Sequence, residues 1–255
     1  MKNTLVKWRN DEKALDTERR LMNEALERLQ RAEWKLNVDR PCGRLIFGLD
    51  LTGSREPGLH HARIATAAMF DTIKAIGAVD VKLIYYRGRS ECRASIWHND
   101  PALVSRSMLA LSCESGETQI ARLLRAALAE EKKISGVVFV GDHCEDNRPE
   151  LRSLAQTFGE RSIPLFIFHE CADDDERSLQ AKPVFKRMAD ASGGVYVEFR
   201  PDSGIVLREM LSNVAALAAA GREGVKQVPL PTTPEARQLQ ERLLLLPSGP
   251  PKQSR

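Results

Sequence analysis

The sequence predicts an α/β fold: a doubly wound, mostly parallel sheet with one antiparallel edge strand, helices on both faces and an additional N-terminal helix. Three observations predict it. Short apolar runs alternate with segments of helical periodicity between about residues 44 and 220, which is typical of βαβ units. Most of these runs are continuously apolar, as expected of strands buried on both faces. Residues 91–97 instead alternate apolar and polar side chains, which indicates an antiparallel edge strand.

The first 40 residues form a segment of their own. They are densely charged, contain neither Gly nor Pro, and carry apolar side chains at roughly helical spacing. This pattern predicts one long amphipathic helix over residues 1–40. Its apolar stripe either packs on the flank of the main domain or serves as an arm that docks a partner. The stripe consists of Leu15, Leu21, Met22, Leu26, Leu29 and Trp34.

A single α/β domain is predicted over residues 41–222, because Pro41 and Gly43 end the helical pattern and a buried strand follows. We predict strands at 44–50, 79–86, 91–97, 136–142, 165–169 and 195–199. Gly77 provides a stop for the first helix of the domain, and Asp100-Pro101 opens the second. The predicted helices lie at 59–76, 101–111, 119–132, 148–160, 178–191 and 203–220.

The composition changes after Gly221, where proline becomes frequent. We expect residues 223–255 to form a proline-rich tail that cannot build a core of its own. Within it, residues 234–246 either form a short helix whose leucines dock on a neighbour or lack regular structure.

Bulk properties narrow the classes of function. The 38 basic and 35 acidic residues give a net charge of only +3, so we expect neither nucleic acid nor membrane as a partner. The N-terminus lacks the apolar stretch of a signal peptide, and no later run approaches the ~20 apolar residues of a spanning helix. The five cysteines are widely spaced and form no Cys-x-x-Cys pair, which favours reduced thiols. We therefore expect a cytoplasmic protein.

Five oxygen-bearing side chains stand at strand ends or in loops before helices. Asp50, Thr52 and Ser54 follow the first strand, Thr118 precedes a helix, and Asp142 ends the strand at 136–142. The carboxyl ends of parallel strands collect ligands at one edge of a sheet. Each residue taken alone is also a common helix cap or turn residue, but their order and placement together predict one site.

The donor types indicate a hard cation. Carboxylates and hydroxyls without sulfur or imidazole suit Mg²⁺, with Mn²⁺ and Ca²⁺ as alternatives, and suit zinc poorly. Mg²⁺ keeps several waters, so such a site leaves room for an incoming acidic group. The nearby Glu145 and Asp146 either add charge to this site or belong to a solvated loop.

The order of these motifs and elements resembles the von Willebrand factor A domain and its metal-ion-dependent adhesion site. The family motif Asp-x-Ser-x-Ser is matched by Asp50, Thr52 and Ser54, with threonine in place of the first serine. Thr118 lies where the family has a Gly-Gly-Thr loop, and Asp142 where it has an Asp-Gly pair. The chain departs from the family pattern at Glu117 and His143, which replace glycines.

The resemblance implies a function as well as a fold. In that family the two hydroxyls of the first motif and the threonine face the metal, the carboxylates act largely through water, and a partner's Asp or Glu completes the coordination. It implies that the chain is not an enzyme, and that it serves as an adaptor for an ATP-driven chaperone or chelatase machine.

Two other classes of function remain open at this stage. One is a metal-dependent phosphoryl hydrolase that uses Asp50 and Asp142, although Thr52 stands where its second catalytic carboxylate is needed. The other is a metal-free interaction domain. The sequence contains no Gly-x-x-x-x-Gly-Lys loop, so it gives no support for ATP binding.

Overall fold

The computed structural model describes residues 43–56, 59–61, 65, 76, 79–98, 103–104, 107–108, 110–172, 175–200 and 203–246. The helix predicted for residues 1–40 and the end of the predicted tail lie outside this part of the chain. Of the helices predicted at 59–76 and 101–111, only some positions are described, and those within 59–76 are helical.

The strands form one six-stranded sheet in the order β3-β2-β1-β4-β5-β6. Strand β3 is antiparallel to β2, and every other neighbouring pair is parallel. This confirms the predicted fold class. The strands are β1 Gly43–Asp50, β2 Val79–Arg87, β3 Glu91–Ala94, β4 Gly136–Gly141, β5 Leu165–Glu170 and β6 Val195–Phe199.

The strand order reverses at β1, because the chain builds β2 and β3 on one side of it and then crosses to β4 on the other. In open α/β sheets such a switch point opens a crevice at the carboxyl ends of the two central strands. Here those ends are Asp50 of β1 and Gly141 of β4.

Helices cover both faces of the sheet and divide the core in two. Alternate side chains of β1 explain this division, since Leu45 and Phe47 enter one apolar cluster and Ile46 enters the other. A strand buried on both faces needs a continuous apolar run, which is what the sequence shows. The fully described helices are α1 Ile120–Leu128, α2 Arg148–Glu160, α3 Glu176–Ser192, α4 Gly204–Gln227 and α5 Pro234–Leu245.

Helix α4 runs further than the sequence predicted and carries a break at Ala220 and Gly221, where Gly221 has a φ of 63°. Glycine adopts this left-handed conformation without steric cost. In the described part of the chain, α4 is the one helix that is long and apolar enough to cross a membrane, judged by length and composition. Half of its apolar 18-residue stretch is buried inside the protein. Its buried side chains include Leu207, Met210 and Leu211 of the core, as in core helices that meet the same criterion.

The end of the described chain adopts the helical one of the two alternatives that the sequence left open for residues 234–246. Residues 234–245 form helix α5, and Ala236, Leu239 and Leu243 are fully buried in the same core cluster as Leu45 and Phe47 of β1. Glu209 of α4 anchors the start of α5 by accepting hydrogen bonds from the backbone and side chains of Thr232 and Thr233. Residues beyond 222 thus complete the core of this domain.

We predict that Leu243→Ala lowers the free energy of unfolding by about 2–5 kcal/mol, because it removes a buried side chain and leaves a cavity. The matched control is Leu245→Ala, two residues on, because Leu245 is 81% exposed and the expected change is within about 0.5 kcal/mol. Urea unfolding measures both. Equal effects of the two substitutions would mean that α5 is not part of the core.

Candidate metal centre

Asp50 and Asp142 meet at the switch point. In the register of the two central strands Leu49 lies opposite Val140, so Asp50 is beside Gly141 and Asp142 follows directly. A Cβ atom placed on Gly141 would lie 3.4 Å from the Asp50 Cβ. The sequence prediction that these two strand ends share one edge of the sheet is confirmed by this register.

The turn after β1 presents the first three predicted ligands together. Asp50 Oδ1 accepts a hydrogen bond from the Thr52 backbone N–H at 2.8 Å. The Thr52 and Ser54 hydroxyls form a hydrogen bond of 3.3 Å, in which either oxygen can be the donor. Thr52 precedes the single 3₁₀ turn Gly53–Arg55, but its side chain makes no capping hydrogen bond. The hydroxyl of Thr52 is therefore not taken up by the local capping role that its position allows.

The other oxygen of the Asp50 carboxylate, Oδ2, is buried and has no hydrogen bond of good geometry to any described residue. Burial raises the pKa of Asp50 to about 6, and the charge of Asp142 adds to this rise, whereas hydrogen bonds from Thr52 and the charge of Arg55 oppose it. The buried Tyr86 hydroxyl is a near neighbour of this carboxylate: burial, the charge of Asp50 and a hydrogen-bonding contact with Asp50 raise the pKa of Tyr86, although this contact lies outside good hydrogen-bond geometry. A buried carboxylate of this kind is costly in its charged form unless a cation or a donor compensates it.

Asp142 is held in place by neighbours on β5 and α3. Its Oδ1 accepts from the His143 backbone N–H at 2.9 Å, and its carbonyl oxygen lies 3.0 Å from Nε2 of His169. Burial lowers the pKa of His169 to about 4, so this ring is neutral near pH 7. His143 in turn contacts the N-cap residue of α3, Asp175, at 2.6 Å.

Thr118 lies on the same edge, but its hydroxyl already has two partners. It donates to Asp146 Oδ2 at 2.7 Å and accepts from the Glu145 backbone N–H at 2.8 Å. A hydroxyl has one donor and two acceptor positions, so one acceptor position remains. That Thr118 binds a metal stays a prediction.

Asp146 has a role that the sequence left open. Its carboxylate accepts from the Ile120 and Ala121 backbone N–H groups at 3.1 and 2.9 Å, besides the Thr118 hydroxyl. It thereby caps the N-terminus of α1 from a different loop, while Gln119 at the N-cap position makes no side-chain cap. Glu145 Oε2 also accepts from the Thr118 backbone N–H. These two acidic residues join the Thr118 loop to the Asp142 loop.

The Thr118 loop contains Gly116 because the backbone of another turn approaches this position closely. A Cβ on Gly116 would lie 2.0 Å from the Gly88 carbonyl oxygen in the turn between β2 and β3, which only a residue without a side chain avoids. A Cβ on Gly53 would lie 2.9 Å from the Ser115 hydroxyl. The loops that carry Ser54 and Thr118 are therefore in direct contact.

Sequence reasoning missed Arg55 and Glu170, which are 2% and 5% exposed and form a buried ion pair beside the two aspartates. Burial by itself would lower the pKa of Arg55, but the charge of Glu170, then those of Asp142 and Asp50, raise it. A signal was available for Glu170. It ends β5 at the same edge where Asp50 ends β1, so a search of every strand end for carboxylates would have found it.

The donor set fits a hard cation. Around the switch point, Asp50 and Asp142 supply carboxylates, and Thr52 and Ser54 supply hydroxyls that face each other. No group of three or more His, Cys, Asp or Glu side chains able to hold a metal occurs among the described residues. A site here thus depends on hydroxyl ligands, which are oxygen donors of the kind that Mg²⁺ and Ca²⁺ use.

Comparisons with known proteins identify the fold. No protein-family model and no curated protein matches the sequence. Among solved structures, a von Willebrand factor type A protein from Catenulispora acidiphila is similar with a TM-score of 0.55 and 16% identity, over 69% of this chain and 43% of that one. The pilus adhesin SpaC from Lactobacillus rhamnosus GG matches with a TM-score of 0.58 and 14% identity, over 69% of this chain and 30% of that one.

A third similar structure, proximal thread matrix protein 1 from the mussel byssus, is described with a zinc-occupied metal-ion-dependent adhesion site. It matches with a TM-score of 0.52 and 10% identity, over 68% of this chain and 46% of that one. The chain thus spans less than half the length of each of these three proteins. Together the matches show that residues of this chain adopt the von Willebrand factor A fold.

We predict that Asp146→Ala lowers the free energy of unfolding by about 1–2 kcal/mol, because it removes the acceptor that caps α1 from a distant loop. Glu117→Ala is the control: it removes an exposed carboxylate from the Thr118 loop, which precedes α1, and its expected effect is within about 0.5 kcal/mol. Chemical denaturation followed by far-UV circular dichroism gives both values. An unchanged stability in Asp146→Ala would contradict the capping role.

The buried carboxyl of Asp50 should make the stability of the metal-free protein depend on pH. The pKa of its carboxyl rises from 3.8 to about 6 on folding, so the folded state holds the proton more tightly than the unfolded state between these pH values. Stability from this group is present at low pH and is lost as pH rises towards about 6. Asp50→Asn stays neutral and should be more stable than the natural chain at pH 7.5, by up to about 3 kcal/mol.

The difference between the two proteins should shrink as the pH falls from 6 towards 4. Urea unfolding in EDTA at several pH values measures it, and the comparison at each pH cancels other titrating groups. The exposed Asp190→Asn is the matched control, with no trend expected. A constant difference between Asp50→Asn and the natural chain would show that Asp50 is not buried as a costly charge.

Proposed function

We propose that this chain is a protein-interaction module that binds a divalent cation, Mg²⁺ by preference, at the carboxyl edge of its sheet, and that the cation engages an Asp or Glu side chain of a protein partner. The von Willebrand factor A fold supports the general class, since domains of this fold are typically protein-interaction modules. The finer claims rest on the chemistry of the site.

One observation carries the proposal: the Asp50 carboxylate is 1% exposed, has no hydrogen bond of good geometry at Oδ2 to any described residue, and lies beside Asp142. Two carboxylates in such proximity are unfavourable unless one is protonated or a positive charge compensates them. A divalent cation bound at this point would compensate both. The neighbouring hydroxyls of Thr52 and Ser54 provide further oxygen donors on the same side.

Asp50, Thr52, Ser54 and Asp142 would hold the cation, and Thr118 has one acceptor position left with which to contribute. When bound, the cation supplies a positive centre that a partner's carboxylate can reach. Ser54 is exposed, as is the adjacent glycine, so the crevice is open to a partner on that side. Residues of this chain would therefore bind the cation and orient it towards the partner. The specificity for an acidic residue would come from the positive charge of the cation.

The proposal is one of binding and not of turnover. Thr52 occupies the position where a phosphoryl hydrolase with an Asp-x-Asp motif places its general acid and base. We further propose that the module acts in the cytoplasm as an adaptor for an ATP-driven chaperone or chelatase machine. Resemblance to intracellular members of the von Willebrand factor A family motivates this part.

A second candidate is an interaction domain that works without a metal. Arg55 favours it, because a buried guanidinium already supplies positive charge next to Asp50 and Asp142. The two candidates differ in one measurable property, which is whether divalent cations change the stability and the partner binding of the protein.

Titration calorimetry with Mg²⁺ and Mn²⁺ tests the cation claim. We expect Ser54→Ala and Thr52→Val to weaken binding by about tenfold or more each, which corresponds to ~1.4 kcal/mol per lost interaction. Ser153→Ala and Thr157→Val, which remove the same groups from helix α2, are matched controls and should leave the affinity unchanged.

Partner capture is the second readout for the same variants. Recovery of a protein by the immobilised natural chain should require Mg²⁺ and should fail in EDTA and in Ser54→Ala, without any hydrolysis of phosphate esters. If the natural chain binds neither Mg²⁺ nor Mn²⁺ and captures the same partner in EDTA, the metal-free interaction domain is the correct alternative.

A further inference from the structure

Arg55 is the first charged side chain after Asp50 in the sequence, and the fold buries it. Its guanidinium forms an ion pair with Glu170 at the end of β5, and both side chains are almost completely inaccessible. Its Nε has no hydrogen bond to a described residue. A buried arginine with one ion-pair partner and an unpaired N–H is energetically unfavourable unless further negative charge surrounds it.

The additional negative charge comes from the two candidate metal ligands. Asp142 and Asp50 both act on the Arg55 guanidinium, after Glu170, and Arg55 in turn opposes the rise in the pKa of Asp50. Three carboxylates and one guanidinium are thus buried at the ends of three neighbouring strands, β1, β4 and β5. With all four groups ionised, their formal charge is −2, which one divalent cation balances.

We propose that Arg55 is the counter-ion of this site in the metal-free protein, where it offsets the charges of Asp50 and Asp142, and that the same charge lowers the affinity of the site for a divalent cation. The inference deepens the proposed function and rests on it for its second half. The physical reason is that a unit positive charge a few ångström from a bound cation repels it strongly in a poorly solvated site.

The counter-ion role bears on how the proposed interaction would work. A site that keeps its shape without metal can bind and release the cation reversibly. Arg55 would then act as a positioning residue, since its charge offsets those of the two aspartates and it does not itself contact the cation or the partner. Weak cation binding by the free module would make the partner's carboxylate an important part of the complete coordination.

The first test uses metal-free protein. A double-mutant cycle of Arg55→Met and Asp50→Asn, unfolded by urea in EDTA at pH 7.5, measures whether the two side chains stabilise each other. We expect a favourable coupling on the order of tenfold in the unfolding equilibrium constant. No coupling, within error, overturns the counter-ion role whether or not the protein binds metal.

The second test is calorimetric titration with Mn²⁺ of four proteins: the natural chain, Arg55→Met, Glu170→Gln, and the double variant that carries both substitutions. Arg55→Met removes a positive charge and should bind roughly tenfold or more tightly. Glu170→Gln removes a negative charge and should bind more weakly by a similar factor. The double variant restores the formal charge of −2 with a neutral pair, which buried sites often tolerate, and should bind about as the natural chain does.

The control for a buried arginine is Arg87→Met. Arg87 is equally inaccessible but pairs with Glu91 and Ser112 at the end of β2. The substitution Arg87→Met should lower the stability of the protein without raising its affinity for Mn²⁺. Equal affinities in all five proteins overturn the claim that Arg55 limits cation binding.

The outcomes separate this inference from the proposed function. If no variant, including Arg55→Met, binds Mn²⁺ while the metal-free cycle shows coupling, the cation proposal fails and the counter-ion role stands. If Mn²⁺ binds and its affinity does not change when the charges at residues 55 and 170 are removed, the cation proposal stands and the inference fails.

Discussion

Two carboxylates buried beside each other, Asp50 and Asp142, are the constraint on which the rest of this edge of the sheet depends. They are brought together because β1 and β4 are parallel neighbours at the point where the strand order reverses. Like charges in a poorly solvated place must be compensated. The surrounding structure supplies partial compensation through the Thr52 backbone N–H, the His143 backbone N–H and the Arg55 guanidinium.

Hydrogen bonds between loops hold the segments around Asp50 and Asp142 in position. Asp146 caps helix α1 and binds Thr118, and Glu145 binds the same loop through its backbone and side chain. Gly116 lets the loop approach the turn after β2. A recognition site gains affinity when its groups are ordered before the ligand arrives, because less entropy is lost on binding. The hydrogen bonds between loops would provide such order for the binding site that we propose at this edge.

Charge therefore has two roles at this edge. Some acidic side chains hold the structure, and Asp146 and Glu145 belong to this group because backbone N–H groups occupy their oxygens. Others retain unsatisfied capacity, and Asp50 is the clearest, because its Oδ2 has no hydrogen bond of good geometry to a described residue. Unsatisfied buried oxygens are rare in proteins and call for an explanation such as a bound ion. This contrast is the reason to place a cation near Asp50 and not near Asp146.

Much of the architecture was predictable because it depends on local pattern. Continuous apolar runs placed five strands buried in the sheet, alternation placed the antiparallel edge strand β3, and the register of β1 and β4 confirms that Asp50 and Asp142 share an edge. The limits of helix α2 were predicted to the residue. Its start is marked locally, because Asn147 caps the helix and Pro149 lies in its first turn.

The sequence by itself thus determined the fold class and the edge on which the candidate ligands lie. Only the tertiary structure decided that Thr118 binds Asp146, that Arg55 pairs with Glu170, and that the leucines of α5 complete the core. The physical reason is separation along the chain. Thr118 and Asp146 are 28 residues apart, and no periodicity encodes which distant partner satisfies a hydroxyl or a guanidinium once packing has excluded water.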